Sequence, residues 1–387
     1  MTTLTTAVIG CGVIGRTHAK AILELSDQLT LVAFADPSPE RTSDLADFVE
    51  NGTGTRPATY DTVHELLEAE HPQLVVIATP SGLHVEQAIA ALEAGAHVLI
   101  EKPLDVDLAR ARRLTEAARA AAERGQVCSV ISQHRFDHAS QVVHNAIASG
   151  DLGRVTSGVA SVAWWRSQAY YDSGDWRGTW AMDGGGAVMN QGVHTVDLLL
   201  WFLGRPVSVS AEIALLAHEN VEVEDTAVAT VTFENGALGV IHATTAAYPG
   251  LSVRLQIAGT KGSAIIDNDA LEYIHISDGT GNDMGLLGGG NQVENYPEPA
   301  ADGLRTAQGV DATQFPIGHV RQYRDVLAAI AEGRDPLLTV DTATLALATV
   351  RAIYLSALLN KKVRIDDVIA GDYDDTTLSL PTAEVTA

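Results

Sequence analysis

Ala7-Val8-Ile9-Gly10-Cys11-Gly12-Val13-Ile14-Gly15-Arg16-Thr17-His18-Ala19 decides the fold. A short apolar strand runs into three glycines at G-x-G-x-x-G spacing, and a helical pattern opens directly after them. Gly10 permits the tight turn out of the strand. Gly12 has no side chain to hold a pyrophosphate away from the backbone, and Gly15 lets the helix pack close to the strand. With Val13 and Ile14, the turn offers phosphates free N–H groups and the positive end of a helix dipole. The glycines alone also fit a strand-to-helix turn with no ligand. What weighs against that is an acid about 20 residues on, at the end of a second strand. Leu29–Ala35 reads as that strand, and Asp36 follows it. A carboxylate there accepts hydrogen bonds from an adenosine ribose and repels a 2′-phosphate, which favours NAD over NADP. Ser38 and Arg41 soften the preference, and Pro37 leaves a plain turn as the competing role of Asp36.

Strand and helix patterns alternate from residue 5 to about 133. Helices are expected at His18–Leu25, Arg41–Val49, Thr62–Ala69, Leu83–Ala94 and Asp107–Arg124. Apolar strands are expected at Leu74–Ala78, Ala96–Ile100 and Val127–Ser132. Near-continuous apolar strands are buried on both faces, so the alternation means a doubly wound parallel sheet. Ligands of such sheets sit beyond the carboxyl ends of the strands. Two of those ends carry chemistry: Thr79-Pro80-Ser81-Gly82-Leu83-His84, and Glu101-Lys102-Pro103. Thr79, Pro80, His84, Glu101 and Lys102 are therefore candidates for the nicotinamide side. A surface lysine is the bland alternative for Lys102.

From about residue 151 the pattern changes. Val155–Trp165, Val207–Leu216, Ala227–Phe233, Leu238–Thr244, Leu251–Ala258, Ser263–Ile266 and Leu271–Ser277 read as strands of a large, mostly antiparallel sheet. Asn235-Gly236 marks one hairpin turn. Helices are expected at Val193–Leu203, His319–Glu332 and Thr342–Leu359. Residues 278–317 form a glycine-rich loop, expected to be a flap, an oligomer arm or a solvated loop. The tail after Asp366 is acidic and peripheral.

A second constellation lies at Trp176-Arg177 and Gly184-Gly185-Gly186-Ala187-Val188-Met189-Asn190-Gln191-Gly192-Val193-His194-Thr195-Val196-Asp197. If a helix starts near Asn190, then Asn190 and His194 share a face, and Asp197 reaches the same side. His194 beside a cofactor lysine is a base for a hydroxyl that loses its proton as its carbon loses a hydride. A satisfied histidine in a helical first turn is the alternative. Trp164, Trp165, Arg166, Tyr170, Tyr171, Trp176 and Trp180 fall within 17 residues. Aromatic faces stack on sugar rings, so Trp165, Tyr171, Trp176, Arg177, Asn190 and Gln191 are substrate candidates, and Arg135 joins them from the end of the last Rossmann strand.

Composition bounds the partners. The 387 residues carry 25 basic and 49 acidic side chains, a net charge of −24. Such a surface repels nucleic acid and anionic membranes. Two cysteines make no disulfide framework. No Cys/His spacing of a metal site occurs, so no metal is assigned. No signal peptide and no membrane-length apolar run are read in the sequence, and the cytoplasm is the expected compartment.

Together G-C-G-V-I-G, T-P-S-G-L-H, E-K-P and the G-G-G…H-T-V-D block resemble the Gfo/Idh/MocA family of pyranose and cyclitol oxidoreductases, over nearly the whole chain. The resemblance implies an NAD-binding Rossmann domain (1–133) and an α/β substrate and oligomerisation domain with an open sheet (134–366), then an acidic tail (367–387). It implies a homodimer or homotetramer built on the open sheet face. It makes Lys102 the catalytic lysine, ahead of a cis Lys102–Pro103 peptide, and His194 the catalytic histidine. Asn190 stands where many members carry aspartate, so proton removal rests on His194 with Lys102 polarising the hydroxyl. The N-Q-G-x-H variant is similar to sugar and nucleotide-sugar 3-dehydrogenases, so oxidation at C3 is expected. A cyclitol dehydrogenase, an NAD-assisted glycoside hydrolase or lyase, and a non-catalytic NAD-binding sensor remain as alternatives.

Overall fold

The computed structural model describes residues 3–279, 290–298 and 316–381. The chain divides into two compact units. One is Met1–Gln133 with Val310–Thr344. The other is His134–Gly309 with Leu345–Ala387.

The first unit alternates β1 (Leu4–Ile9), α1 (Val13–Glu24), β2 (Leu29–Ala35), α2 (Pro39–Thr53), β3 (Ala58–Tyr60), α3 (Val63–Glu70), β4 (Leu74–Ile77), α4 (His84–Glu93), β5 (His97–Ile100), α5 (Leu108–Ala122) and β6 (Cys128–Val130). The strands form one sheet in the order β3-β2-β1-β4-β5-β6, every pair parallel. Every residue of β4 is buried, as two-sided coverage by helices requires. Local chemistry fixes the helix starts. Ser38, Thr62 and Asp107 each accept a backbone N–H three residues on, from Arg41, Glu65 and Arg110, filling donors that an uncapped first turn leaves open. Helix α1 starts at Val13, five residues before the expected His18, because the chain enters it straight from Gly12. The edge strand β3 was not expected. Its three residues, the half-exposed Ala58 and Tyr60 and the exposed Thr59, make no apolar run.

The second unit opens with α6 (His138–Ala148), β7 (Val155–Ala163), the short α7 (Gln168–Tyr171) and a π-helical turn, Ala187–Gly192, that runs into α8 (Val193–Leu203). It continues with β8 (Pro206–Ala214), β9 (Thr226–Phe233), β10 (Leu238–Thr244), β11 (Val253–Gly259), β12 (Gly262–Asp267) and β13 (Ala270–Ile276). Helix α9 (Pro316–Glu332) belongs to the first unit, and the boundary between units falls within α10 (Val340–Leu359). The chain then adds β14 (Val363–Arg364) and α11 (Ile365–Ala370). The second sheet runs β13-β12-β11-β7-β10-β9-β8-β14. All its pairs are antiparallel except β7 with β10. Helix α8 lies on one face. A Cβ on Gly158 of β7 would meet Leu199 and Leu203 of α8 at 2.9 and 2.8 Å, so this glycine sets how close the helix comes. The other face leaves Val228, Leu238 and Val240 exposed. Helix α6 was also not expected, because its buried face is Ala139, Ser140, Val143 and Ala146, mostly small residues with a weak apolar signal.

Helix α10 corrects one expectation. Its 20 residues, of mean hydropathy 1.6, are long and apolar enough to cross a membrane, yet 67% of that stretch is buried within the protein. It is built as a core helix. The glycine-rich stretch 278–317 lies mostly outside the described residues. Its described internal part, 290–298, begins along β13, where the Gln292 N–H donates to the Ile274 carbonyl at 2.8 Å.

Gly15→Ala places a methyl group against the Gly10 carbonyl oxygen, whereas a Cβ on Gly12 meets nothing within 4 Å. Gly15→Ala is therefore expected to lose roughly 2–3 kcal/mol of stability by overpacking. Gly12→Ala should unfold like the wild type but bind NAD more weakly. Urea denaturation and a NAD titration check both.

Candidate active site

In the first unit the phosphate end is built around open space. Gly10 has φ +94°, and a Cβ there would sit 2.5 Å from the Ala78 carbonyl oxygen, so only glycine makes this turn. Val13, the first residue of α1, is 90% exposed, and no side chain caps the helix. Its first-turn N–H groups have no side-chain cap, which suits a pyrophosphate. The Asp36 carboxylate is buried and held from both sides. It accepts the Cys11 and Ser38 N–H groups, each at 2.9 Å. Asp36, Pro37, Ser38, Glu40, Arg41 and Asp44 line a depression of about 590 Å³ beside it. An adenosine ribose fits a carboxylate presented this way.

At the carboxyl end of β5 lies Glu101, 4% exposed. Its Oε1 accepts the Nε2–H of His18, on α1, at 3.0 Å and that of His319, on α9, at 3.1 Å. Its Oε2 accepts the Lys102 backbone N–H at 2.9 Å. Tyr323 donates its hydroxyl to His18 Nδ1 at 2.9 Å. Burial alone would raise this carboxyl, but the hydrogen bonds from His18 and His319 outweigh it and hold the pKa well below 4.5. Burial also lowers the His18 pKa, which fits a neutral donor. Glu101 is thus a positioning group. It fixes the backbone of Lys102, whose bond to Pro103 is cis. His84 is 1% exposed, and its ring bridges the carbonyl oxygens of Thr79 and Pro103, each at 2.8 Å. It ties together the two loops that sequence placed at the nicotinamide, rather than lining an open surface. The Thr79 hydroxyl donates to Gln87 at 2.6 Å.

In the second unit the geometry around His194 differs from the expected helix. Ala187–Gly192 is π-helical and α8 begins only at Val193, so Asn190 and His194 do not sit four apart on one α-helix. A buried glutamate shapes this turn. Glu224 Oε2 accepts the Gly186 N–H at 2.9 Å. Its Oε1 accepts the Val188 N–H at 2.9 Å and the Tyr354 hydroxyl at 3.0 Å. Burial pushes the Glu224 pKa up to about 7 against these bonds. Asn190 donates its amide to Asp183, and Gln191 donates to the Asn190 side-chain oxygen at 2.9 Å. Asp197, which the spacing puts on the side of His194, accepts two hydrogen bonds from Arg135, at 2.7 and 2.6 Å, a structural role. Arg135 is 4% exposed, so the substrate contact expected of it gives way to an interior ion pair. Tyr171 is buried too, its hydroxyl 2.9 Å from that of Thr245. Trp165 stacks edge-on against Tyr248. Trp176 remains exposed, with the Arg177 guanidinium 4.4 Å from its ring centre.

Two residues escaped the sequence reading. Glu224 lies in the Glu222-Val223-Glu224-Asp225 run, which looks like a charged surface. His134 stands beside Arg135 in the chain. Its ring meets that of His194 edge-on, 5.1 Å between centres. Its Nδ1 faces Asp137 Oδ2 at 2.8 Å and Asp269 Oδ1 at 3.1 Å. Burial lowers its proton affinity, but Asp269 and Asp137 outweigh that and raise the pKa well above 6.5. A hairpin turn with positive φ at Asn268 and Asp269 delivers the second carboxylate. His18, Glu101 and His319, and likewise His134, Asp137 and Asp269, are close enough to share a metal ion. Their donor atoms are already joined by hydrogen bonds.

A family model described as an oxidoreductase family with an NAD-binding Rossmann fold matches residues 4–131, and the GFO/IDH/MocA C-terminal domain matches 140–265. The chain is 27% identical to scyllo-inositol 2-dehydrogenase (NAD(+)) of Bacillus subtilis, over 73% of this chain and 79% of that protein. It is 28% identical to D-glucoside 3-dehydrogenase of Escherichia coli, over 61% and 68%. Among solved structures, the WlbA dehydrogenase of Bordetella pertussis, in complex with NADH and UDP-GlcNAcA, is 31% identical, with a TM-score of 0.77 over 94% of this chain and 97% of that one.

The raised His134 pKa has a defined sign. Its pairing stabilises the fold fully below 6.5, and that stability is lost as pH rises through the higher folded value. The stability gap between wild type and His134→Phe should therefore be larger at about pH 5.5 than at about pH 9. Urea unfolding at the two pH values measures it, and a gap that widens with pH contradicts the assignment.

Proposed function

The chain belongs to the Gfo/Idh/MocA oxidoreductases, NAD-dependent enzymes acting on CH–OH groups. On that premise we propose that it moves a hydride between NAD and a ring carbinol carbon, at C3, of a sugar, glycoside or nucleotide sugar. The observation that carries the reading is Lys102, held at the carboxyl end of β5 by the buried Glu101 carboxylate. Sheets of this kind bind ligands beyond that edge. Binding a dinucleotide needs no such lysine, whereas polarising a hydroxyl does. The nicotinamide, when bound, supplies the hydride acceptor. Lys102 donates to the substrate oxygen and lowers the cost of charge developing there. His194 takes the hydroxyl proton as general base. Asn190 and Gln191 orient the neighbouring hydroxyls, and Trp176 with Arg177 offers a stacking face.

C3 is supported by likeness to a glucoside 3-dehydrogenase, and a nucleotide-sugar substrate by likeness to an enzyme crystallised with UDP-GlcNAcA. A cyclitol is the second reading, supported by the inositol dehydrogenase relative. The exposed Val228, Leu238 and Val240 of the second sheet support a homodimer or homotetramer across that face. The compartment proposed is the cytoplasm.

Purified protein should form NADH with at least one member of a panel of sugars, glycosides, inositols and UDP-sugars, and should favour NAD over NADP. Lys102→Ala and His194→Ala should each lose about 10²–10⁴ in kcat while keeping the wild-type melting temperature. Near wild-type turnover by Lys102→Ala overturns the mechanism. An inositol hit with no sugar hit moves the substrate to the cyclitols.

A further inference from the structure

Two cations, Arg166 and Arg177, stand beside the N-Q-G-x-H segment. Among the described residues neither Arg166 nor Arg177 has a carboxylate partner, although the chain carries a net charge of −24. Six other arginines, Arg110, Arg113, Arg119, Arg205, Arg254 and Arg334, each hold an acid. The acids nearest in sequence, Asp172 and Asp175, are exposed, and Asp172 takes the Gln168 amide.

What these arginines do contact is aromatic. The Arg166 guanidinium lies 4.8 Å from the Trp164 ring centre and 5.4 Å from that of Tyr170. Arg177 lies 4.5 Å from Tyr170 and 4.4 Å from Trp176. One ring therefore holds both charges within about 10 Å of each other. Stacking fixes the planes and leaves N–H edges unspent, since a guanidinium has five donors. Arg177 uses one on the Tyr170 hydroxyl, at 2.9 Å. Arg166 donates to Gln191 Oε1 at 2.7 Å and to the Trp165 carbonyl at 3.3 Å. Gln191 also donates to the Tyr170 hydroxyl at 3.1 Å and to Asn190. Arg166 is thus hydrogen-bonded directly into the segment that carries His194, and Arg177 is joined to it through the Tyr170 hydroxyl.

Like charges held this close, half-buried and without acids, are stabilised by an anion that arrives with a ligand. We propose that Arg166 and Arg177 form the subsite for an anionic substituent of the substrate, a carboxylate or a diphosphate carried on the sugar. This rests on the dehydrogenase reading for what happens to the sugar, but not for the anion site itself. Arg166 is then a specificity determinant alongside Arg177. Stacked guanidiniums suit planar, bidentate oxyanions, which a lysine at either place does not.

The test is calorimetric binding to the full-length protein in saturating NADH, with glucose, glucuronate and UDP as probes, followed by NADH formation from NAD with glucose, glucuronate, UDP-glucose and UDP-glucuronate. At least one anionic probe should bind about 30-fold or more tighter than glucose, as expected of charge-assisted pairs. That advantage should collapse in the Arg166→Gln/Arg177→Gln double variant, persist in Arg254→Gln, and weaken with added salt. Glucuronate as the favoured probe assigns a carboxylate; UDP assigns a diphosphate. Anions that bind no better than glucose, or as well to the double variant as to wild type, overturn the proposal. Arginine-dependent anion binding without turnover of any sugar leaves the anion site standing and removes the dehydrogenase reading.

Discussion

A carboxylate taken out of water sets the terms for the first unit. Burying an ionised Glu101 costs several kcal/mol unless every lone pair finds a donor. The donors come from three separate parts of the chain: His18 on α1, His319 on α9, and the backbone of Lys102. This requirement explains why a helix more than two hundred residues away belongs to the dinucleotide-binding unit. Tyr323, Val326, Leu327 and Ala329 of α9 join the core formed by Val8, Ile22 and Leu45. Tyr323 completes the polar chain through His18. Helix α1 and the loop that carries Lys102 are thereby held by one residue.

The second unit repeats the logic with different parts. Glu224 collects the amides of the glycine-rich turn, and the turn winds into a π-helix before α8 begins. π-helical turns are rare and concentrate at functional sites, because the wider winding re-aims side chains. Here it displaces Asn190 and Gln191 from the α-helical register of His194. Asn190 then reaches Asp183, and Gln191 reaches Arg166 and Tyr170. The interior acids thus serve geometry, while among the described residues the two stacked arginines contact aromatic rings rather than carboxylates.

The frame was legible because its signals are local. β2 falls on Leu29–Ala35 and α8 on Val193–Leu203, as the sequence reading placed them. The helix ends follow caps such as Thr62 and Asp107, which act over three residues. Where the signal was weak the reading failed for physical reasons. α6 buries small side chains, β3 is a short edge, and the π turn keeps the same apolar residues while changing the winding. No period in the sequence distinguishes i→i+4 from i→i+5 bonding over six residues.

By itself, then, the sequence determined the dinucleotide turn and the parallel sheet, and it singled out Lys102 and His194 as candidates for the chemistry. A glycine spacing or a lysine at a strand end is a constraint between near neighbours. Only the tertiary structure decided the states and partners of those groups. Glu101 is a buried hub, Arg135 is bound to Asp197, and His134 is clamped by Asp137 and Asp269 against His194. Desolvation and charge pairing depend on which distant segments come to lie within a few ångströms, and that distance is set by packing rather than by position along the chain.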